Sequence, residues 1–148
     1  IKAGLDVSAS IHDTMRVSIV SLYAHGMGKI DSQAFADIDI IVVDLQDVGV
    51  RHYTYISTLY MVMQECARLK KSIIVLDRPN LLGGVMEGPI CLPHMRSFIG
   101  IAEIPLRHGM TIGELARFFN ARSLPHKADL TVIPLAEYTR NMMLPYLH

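Results

Sequence analysis

An unbroken apolar run, Ile40-Ile41-Val42-Val43, passes directly into Asp44-Leu45-Gln46-Asp47. β-Branched residues in continuous rather than alternating order mark a buried strand of a parallel sheet, expected here over Asp39 to Leu45. Parallel pairing demands a long crossover, usually a helix. The sequence supplies one from Tyr55 to Lys70, where Ile56, Leu59, Tyr60, Met63, Cys66 and Ala67 recur at helical spacing. Arg68, Lys70 and Lys71 gather at the end of that run, where the helix dipole favours cations. A short apolar strand, Ser72 to Leu76, follows and is stopped by Asp77-Arg78-Pro79-Asn80. The unit reads β-α-β. A right-handed crossover then sets Asp44 and Asp77 at the ends of neighbouring strands on one sheet edge, where ligands of α/β folds bind.

The rest of the chain is assigned around this unit. Val17 to Leu22, again rich in β-branched residues, reads as a further buried parallel strand. After Asp77 comes a long loop through Leu82-Gly83-Gly84, Glu87-Gly88-Pro89 and Pro93, too rich in glycine and proline for regular structure. Thr111 followed by Glu114 is a capping-box pattern, and Ile112, Leu115, Ala116 and Phe119 continue it as an apolar stripe. Leu130 to Pro134 reads as another strand, while Arg140 to His148 has no clear period. With 148 residues, half of them hydrophobic, the expectation is one Rossmann-like three-layer α/β domain over residues 1–148 with a mainly parallel sheet.

Charge excludes several partners. Fourteen basic residues balance fourteen acidic ones, so no long-range field draws the chain to nucleic acid or an anionic membrane. The apolar runs are too short for membrane insertion, and no signal peptide is expected in this sequence, since no basic stretch followed by an apolar one opens it. Cys66 and Cys91 make neither a disulfide framework nor a thiolate site, and the seven histidines lack zinc spacing. Gly26-Met27-Gly28 and Leu82-Gly83-Gly84 form no dinucleotide or phosphate loop, so no cofactor and no metal are expected. The methionines Met61, Met63, Met142 and Met143 read as core filling.

Chemistry concentrates in Asp44 to Tyr55, where a hydrophobic strand runs into acids, an amide, a glycine, a cation and aromatics. A substrate-facing turn of this kind uses carboxylates to accept from sugar hydroxyls or a proton donor, Arg51 to face an anion, and Tyr53 or Tyr55 to stack on a ring. The plainer alternative is a capping turn with a surface ion pair. Asp77-Arg78-Pro79-Asn80 repeats the arrangement one strand over, with an Asp-Arg turn as its plain alternative. His108 precedes the capped helix and is placed to donate to a substrate oxygen, against a structural hydrogen-bonding role. Glu114 is read as a cap and Glu87 as a loop carboxylate, ligand-binding or solvated.

Five segments then resemble a known family, in its order and over most of Ser21 to Arg140. They are Asp44 to Tyr55, Leu76 to Asn80, Glu87-Gly88-Pro89, Ser97-Phe98-Ile99-Gly100, and Pro105 to Ala116. All closely resemble the NamZ-type exo-β-N-acetylmuramidases, formerly a domain of unknown function. The resemblance implies a Rossmann-like N-terminal domain whose cleft, shared with a smaller C-terminal domain, releases terminal N-acetylmuramic acid from peptidoglycan fragments, in a secreted or periplasmic setting. The family's favoured acid/base is the glutamate of a Pro-Glu-His-Gly segment that this sequence does not contain, and the C-terminal motifs are absent as well. A chain truncated at both ends is expected.

Carried over by position, Asp44, Gln46, Arg51, Tyr53, Asp77, Arg78 and Asn80 are expected to bind substrate, with Asp47 and His108 as catalytic candidates. Glycosidases use two flanking carboxyl groups, so Asp47 or Asp44 would partner the glutamate, unless the acetamido sugar supplies its own nucleophile. The lactyl carboxylate would suit Arg51 or Arg78. The alternative function is a non-catalytic module binding a sugar or anion. Both readings require Asp44, Asp77 and His108 to converge on one sugar-sized hollow.

Overall fold

The computed structural model describes residues 10–23 and 30–142. The chain divides into two compact units, Ile1–Ile38 and Asp39–His148. Gly26-Met27-Gly28, Met143 and the final Leu144 to His148 lie outside the described residues.

In the first unit, β1 (Ser10–Ile11) pairs antiparallel with β2 (Ser18–Ile19), with Ser10 opposite Ile19 and Ile11 opposite Ser18. The reversal is closed by His12, whose carbonyl accepts the Arg16 N–H and whose N–H donates to the Val17 carbonyl, with Arg16 at φ 55°. A 3-10 turn, Ser32–Phe35, follows under an Asp31 side-chain cap. The expectation of a buried parallel strand over Val17 to Leu22 is corrected here. The residues form a short exposed hairpin arm, and Val17, Ile19 and Val20 all face solvent. β-Branched composition signals an extended backbone but does not choose the partner, and here a local turn supplies one.

The second unit is the β-α-β-α-β arrangement on which the site is built. β3 (Ile40–Val43), α1 (Tyr55–Leu69), β4 (Ser72–Leu76), α2 (Ile112–Arg122) and β5 (Asp129–Ile133) follow in order, and the strands form a parallel sheet ordered β3-β4-β5. Val43, Val75 and Val132 lie side by side in one row, and Ile41, Ile73 and Leu130 in the row below. The Rossmann-like α/β class is therefore observed.

Both crossovers step in the same direction, so right-handedness places α1 and α2 on the same face. They pack against each other there, with Tyr60 and Phe119 meeting edge to face at 5.4 Å and the Tyr60 hydroxyl donating to the Ser123 carbonyl. Ile56, Leu59, Met63 and Cys66 of α1, Leu115 and Phe119 of α2, and Ile73 and Val75 of β4 are all fully buried. Each such aliphatic side chain contributes roughly 1.5–3 kcal/mol of transfer free energy. On the opposite face Ile40 and Val42 are 52% and 57% exposed. The Asp39 to Leu45 strand is thus parallel as expected but covered on one face among the described residues.

The helix boundaries follow from local chemistry. Lys70 closes α1 in the left-handed conformation, φ 55°, while the Lys71 N–H reaches back to the Cys66 carbonyl. At the start of α2 the predicted capping box forms in both directions, from Thr111 to Glu114 and back.

Candidate functional site

β3 and β4 end side by side, and the turns leaving them interlock. Asp44, just past β3, receives two bonds from the Arg78 guanidinium, Nε to Oδ1 and Nη2 to Oδ2 at 2.9 Å. This bidentate pair is nearly half exposed on both sides. The Arg78 hydrogen bond holds the Asp44 carboxyl below its ordinary pKa, and Asp44 in turn raises that of Arg78. Gln46 ties the same turns together, its Nε2 donating to the carbonyls of Asp47 and Pro79.

Asp47 and His108, separated by 61 positions, meet below this surface. Nε2 of His108 lies 3.1 Å from Asp47 Oδ2, and the Gly49 N–H donates to the same oxygen at 2.8 Å. Asp47 is 3% exposed and His108 0%. Asp47 Oδ1 is buried with no hydrogen-bond partner among the described residues. The bond from Gly49 back to Asp47 is an Asx turn, which tolerates the glycine at φ 93°.

Asp77 turns toward α2. Oδ1 accepts the Gly113 N–H at 2.7 Å and Oδ2 accepts the Thr111 hydroxyl at 3.0 Å, so this carboxylate fills the helix N-terminus that an anion would otherwise occupy. Asn80 is buried between two stretches of backbone, donating to the Met110 carbonyl and accepting the Leu82 N–H.

Arg51 and Tyr53 lie further along the first turn. Nη1 of Arg51 donates to the carbonyls of Pro89 and Ile104, anchoring the long loop. Tyr53 packs on Tyr55 with ring centroids 4.8 Å apart, and burial, followed by Tyr55, raises its phenol pKa. A groove of about 590 Å³ opens beside this end, lined by Arg51 and His52 and by loop residues including Ile90, Leu92, Met95 and Ile99. Asp44, Asp77 and His108 do not line it, and with His108 wholly buried and both Asp77 oxygens bonded at the start of α2, the expected convergence of the three on one sugar-sized hollow is not observed among the described residues.

Seven of the nine expected site residues therefore belong to one connected region: Asp44 with Arg78, Gln46 bridging the turns, Asp47 with His108, and Asp77 and Asn80 bonded to the Met110–Gly113 stretch. Their polar groups are spent largely on one another. Sequence reasoning missed Gly49 as the hub of the Asp47 turn, and Met110, whose N–H donates to His108 Nδ1 at 3.2 Å. It also missed Arg107, which ties Glu87 by an ion pair and bonds the Leu82 carbonyl, and Arg140, which joins Glu114 to the Gly109 carbonyl. The Asp-x-Gly spacing was a usable signal for Gly49; a backbone donor such as Met110 leaves none.

No group of three or more His, Cys, Asp and Glu among the described residues is placed to hold a metal ion, and no described helix is long and apolar enough to cross a membrane.

A profile of the family described as exo-beta-N-acetylmuramidase NamZ, N-terminal, matches residues 1–147. The chain belongs to the NamZ family. It is 42% identical over 142 residues to the peptidoglycan beta-N-acetylmuramidase NamZ of Bacillus subtilis strain 168, which covers 95% of this chain and 34% of that protein. A solved DUF1343 family protein from Bacteroides fragilis NCTC 9343 superposes with a TM-score of 0.86 at 35% identity, over 92% of this chain and 36% of its own. A second DUF1343 structure from the same organism gives 0.73 at 38% identity, over 82% and 37%. The chain spans about a third of the length of these relatives.

Proposed function

We propose that this chain is the sugar-holding part of a peptidoglycan-processing glycoside hydrolase that releases terminal N-acetylmuramic acid, working in a secreted or periplasmic setting. NamZ family membership supports the substrate class. The observation that carries the reading is the state of Asp47, whose Oδ2 is fixed by Gly49 and His108 while Oδ1 is a buried acceptor without a partner among the described residues. Buried acceptors are seldom left unpaired, and a donor on a ligand is one kind of partner that satisfies such a group.

Arg78 suits the lactyl carboxylate better than Arg51. Arg78 uses Nε and Nη2 on Asp44, leaving its other edge exposed, whereas Nη1 of Arg51 is held by two carbonyls.

A second reading, binding without turnover by this chain, rests on the other two carboxylates. Asp77 is committed to α2 and Asp44 to Arg78, so Asp47 alone keeps an unengaged oxygen where hydrolysis uses a pair of carboxyl groups.

Calorimetric titration of the chain with N-acetylmuramic acid and with N-acetylglucosamine tests both readings. Saturable binding that prefers the muramic sugar and is lost in Arg78→Ala is expected; absence of binding to either sugar overturns both. A chromogenic β-N-acetylmuramide then tests turnover by the chain itself: colour release removes the second reading, and saturable binding without release favours it.

A further inference from the structure

We propose that Asn80 is a positioning residue for the Asp47–His108 pair, acting through the main chain at Met110 rather than by touching substrate. Asn80 is 2% exposed, and its amide is spoken for at both ends. Nδ2 donates to the Met110 carbonyl at 2.9 Å, and Oδ1 accepts the Leu82 N–H at 2.9 Å. One partner only accepts and the other only donates, so the orientation of the amide is fixed by its surroundings.

The effect reaches His108 through Met110. The Met110 N–H donates to Nδ1 of His108 at 3.2 Å. A ring nitrogen that accepts a backbone N–H carries no proton, so the neutral imidazole carries its proton on Nε2. Nε2 is the atom 3.1 Å from Asp47 Oδ2. His108 is thereby a committed donor to the carboxylate, because the other tautomer sets N–H against N–H on one side and a lone pair against a carboxylate on the other.

Asn80 also bounds the second arm of the arrangement. The Gly49 N–H donates to Asp47 Oδ2, and the Gly49 carbonyl accepts the His108 N–H. Gly49 packs so closely on Asn80 that a Cβ there would stand 2.3 Å from Oδ1 of the amide. Asn80 therefore constrains both donors aimed at Oδ2 and leaves the lone pairs of Oδ1 for a donor on the sugar. That last clause rests on the proposed function; the tautomer assignment does not.

Two-bond proton–nitrogen correlation spectra of the histidine rings, recorded on the 148-residue chain, read the tautomer directly. The wild-type His108 ring is expected to show the Nε2–H form alone. Asn80→Asp keeps the acceptor for Leu82 but sets a carboxylate against the Met110 carbonyl. It is expected to mix in the Nδ1–H form with the remaining amide spectrum intact, and to weaken N-acetylmuramic acid binding about tenfold. A wild-type ring protonated on Nδ1, or a folded Asn80→Asp chain with unchanged His108 signals, overturns the proposal. The wild-type spectrum decides the first point even where a variant does not fold. The expected tautomer change in a chain that binds no sugar supports the positioning role while removing the functional reading.

Discussion

Asp77, at the end of β4, holds Gly113 in the first turn of α2 through a 2.7 Å bond from the backbone N–H to Oδ1. The other carboxylate oxygen takes the Thr111 hydroxyl. There is no room for a side chain at position 113, where a Cβ would stand 2.7 Å from both the Asp77 carboxyl carbon and Val132 Cγ1. Sheet and helix are thus joined by a charged bond at close range. Asp77→Ala is expected to cost roughly 2–3 kcal/mol in urea unfolding, the scale of a hydrogen bond to a charged partner left unmade. An unchanged midpoint would instead free Asp77 for a ligand.

The capping box gives a separable effect. Thr111→Ala removes the acceptor for the Glu114 N–H and the donor to Asp77. A loss of about 1 kcal/mol is expected from the cap alone. Thr111→Ser, which keeps the hydroxyl, should retain most of the stability, measured by the same unfolding curves.

Asp44 and Arg78 give a pH dependence whose direction is fixed. The folded-state pKa of Asp44 is depressed, first by the Arg78 hydrogen bond. Its stabilising contribution is therefore present above the unfolded carboxylate value, near 3.8, and is lost as pH falls through the lower folded value. Both groups are exposed, so the effect on stability is small. Carbon-detected NMR titration should show the Asp44 carboxyl moving back up in Arg78→Ala; an identical titration in both chains would discount the pair.

Cys66 is packed into the α1 core, and burial pushes its thiol up to about 11. The thiolate is the reactive form, so iodoacetamide at neutral pH should label this position only once urea unfolds the chain. Peptide mass mapping separates Cys66 from Cys91, and prompt labelling of Cys66 in the native chain would falsify the assignment of that helix face.

Much of the second unit was legible because its signals are local. The Ser72–Leu76 strand is an apolar run closed by a proline turn, and α2 starts directly after its Thr111 cap because the capping residues are three positions apart. Val17 to Leu22 misled because composition reports extended backbone while neighbours decide burial. At the site, the strand ends located Asp44 and Asp77 correctly, since β-α-β geometry fixes where parallel strands finish. The partners were not legible. Whether an arginine meets a substrate anion or a pair of loop carbonyls, as Arg51 does, depends on the path of a loop carrying no periodic signal. The Asp47–His108 contact likewise spans 61 positions, and neither residue type announces the other.

Among the described residues the helices cover one side of the sheet, which sets an odd–even rule of tolerance. Along β3, Ile41 and Val43 point toward the helices while Ile40 and Val42 look outward. Polar replacements walked down this strand should therefore alternate between harmless and ruinous, so that a four-residue scan records which side of the sheet the folded chain has filled.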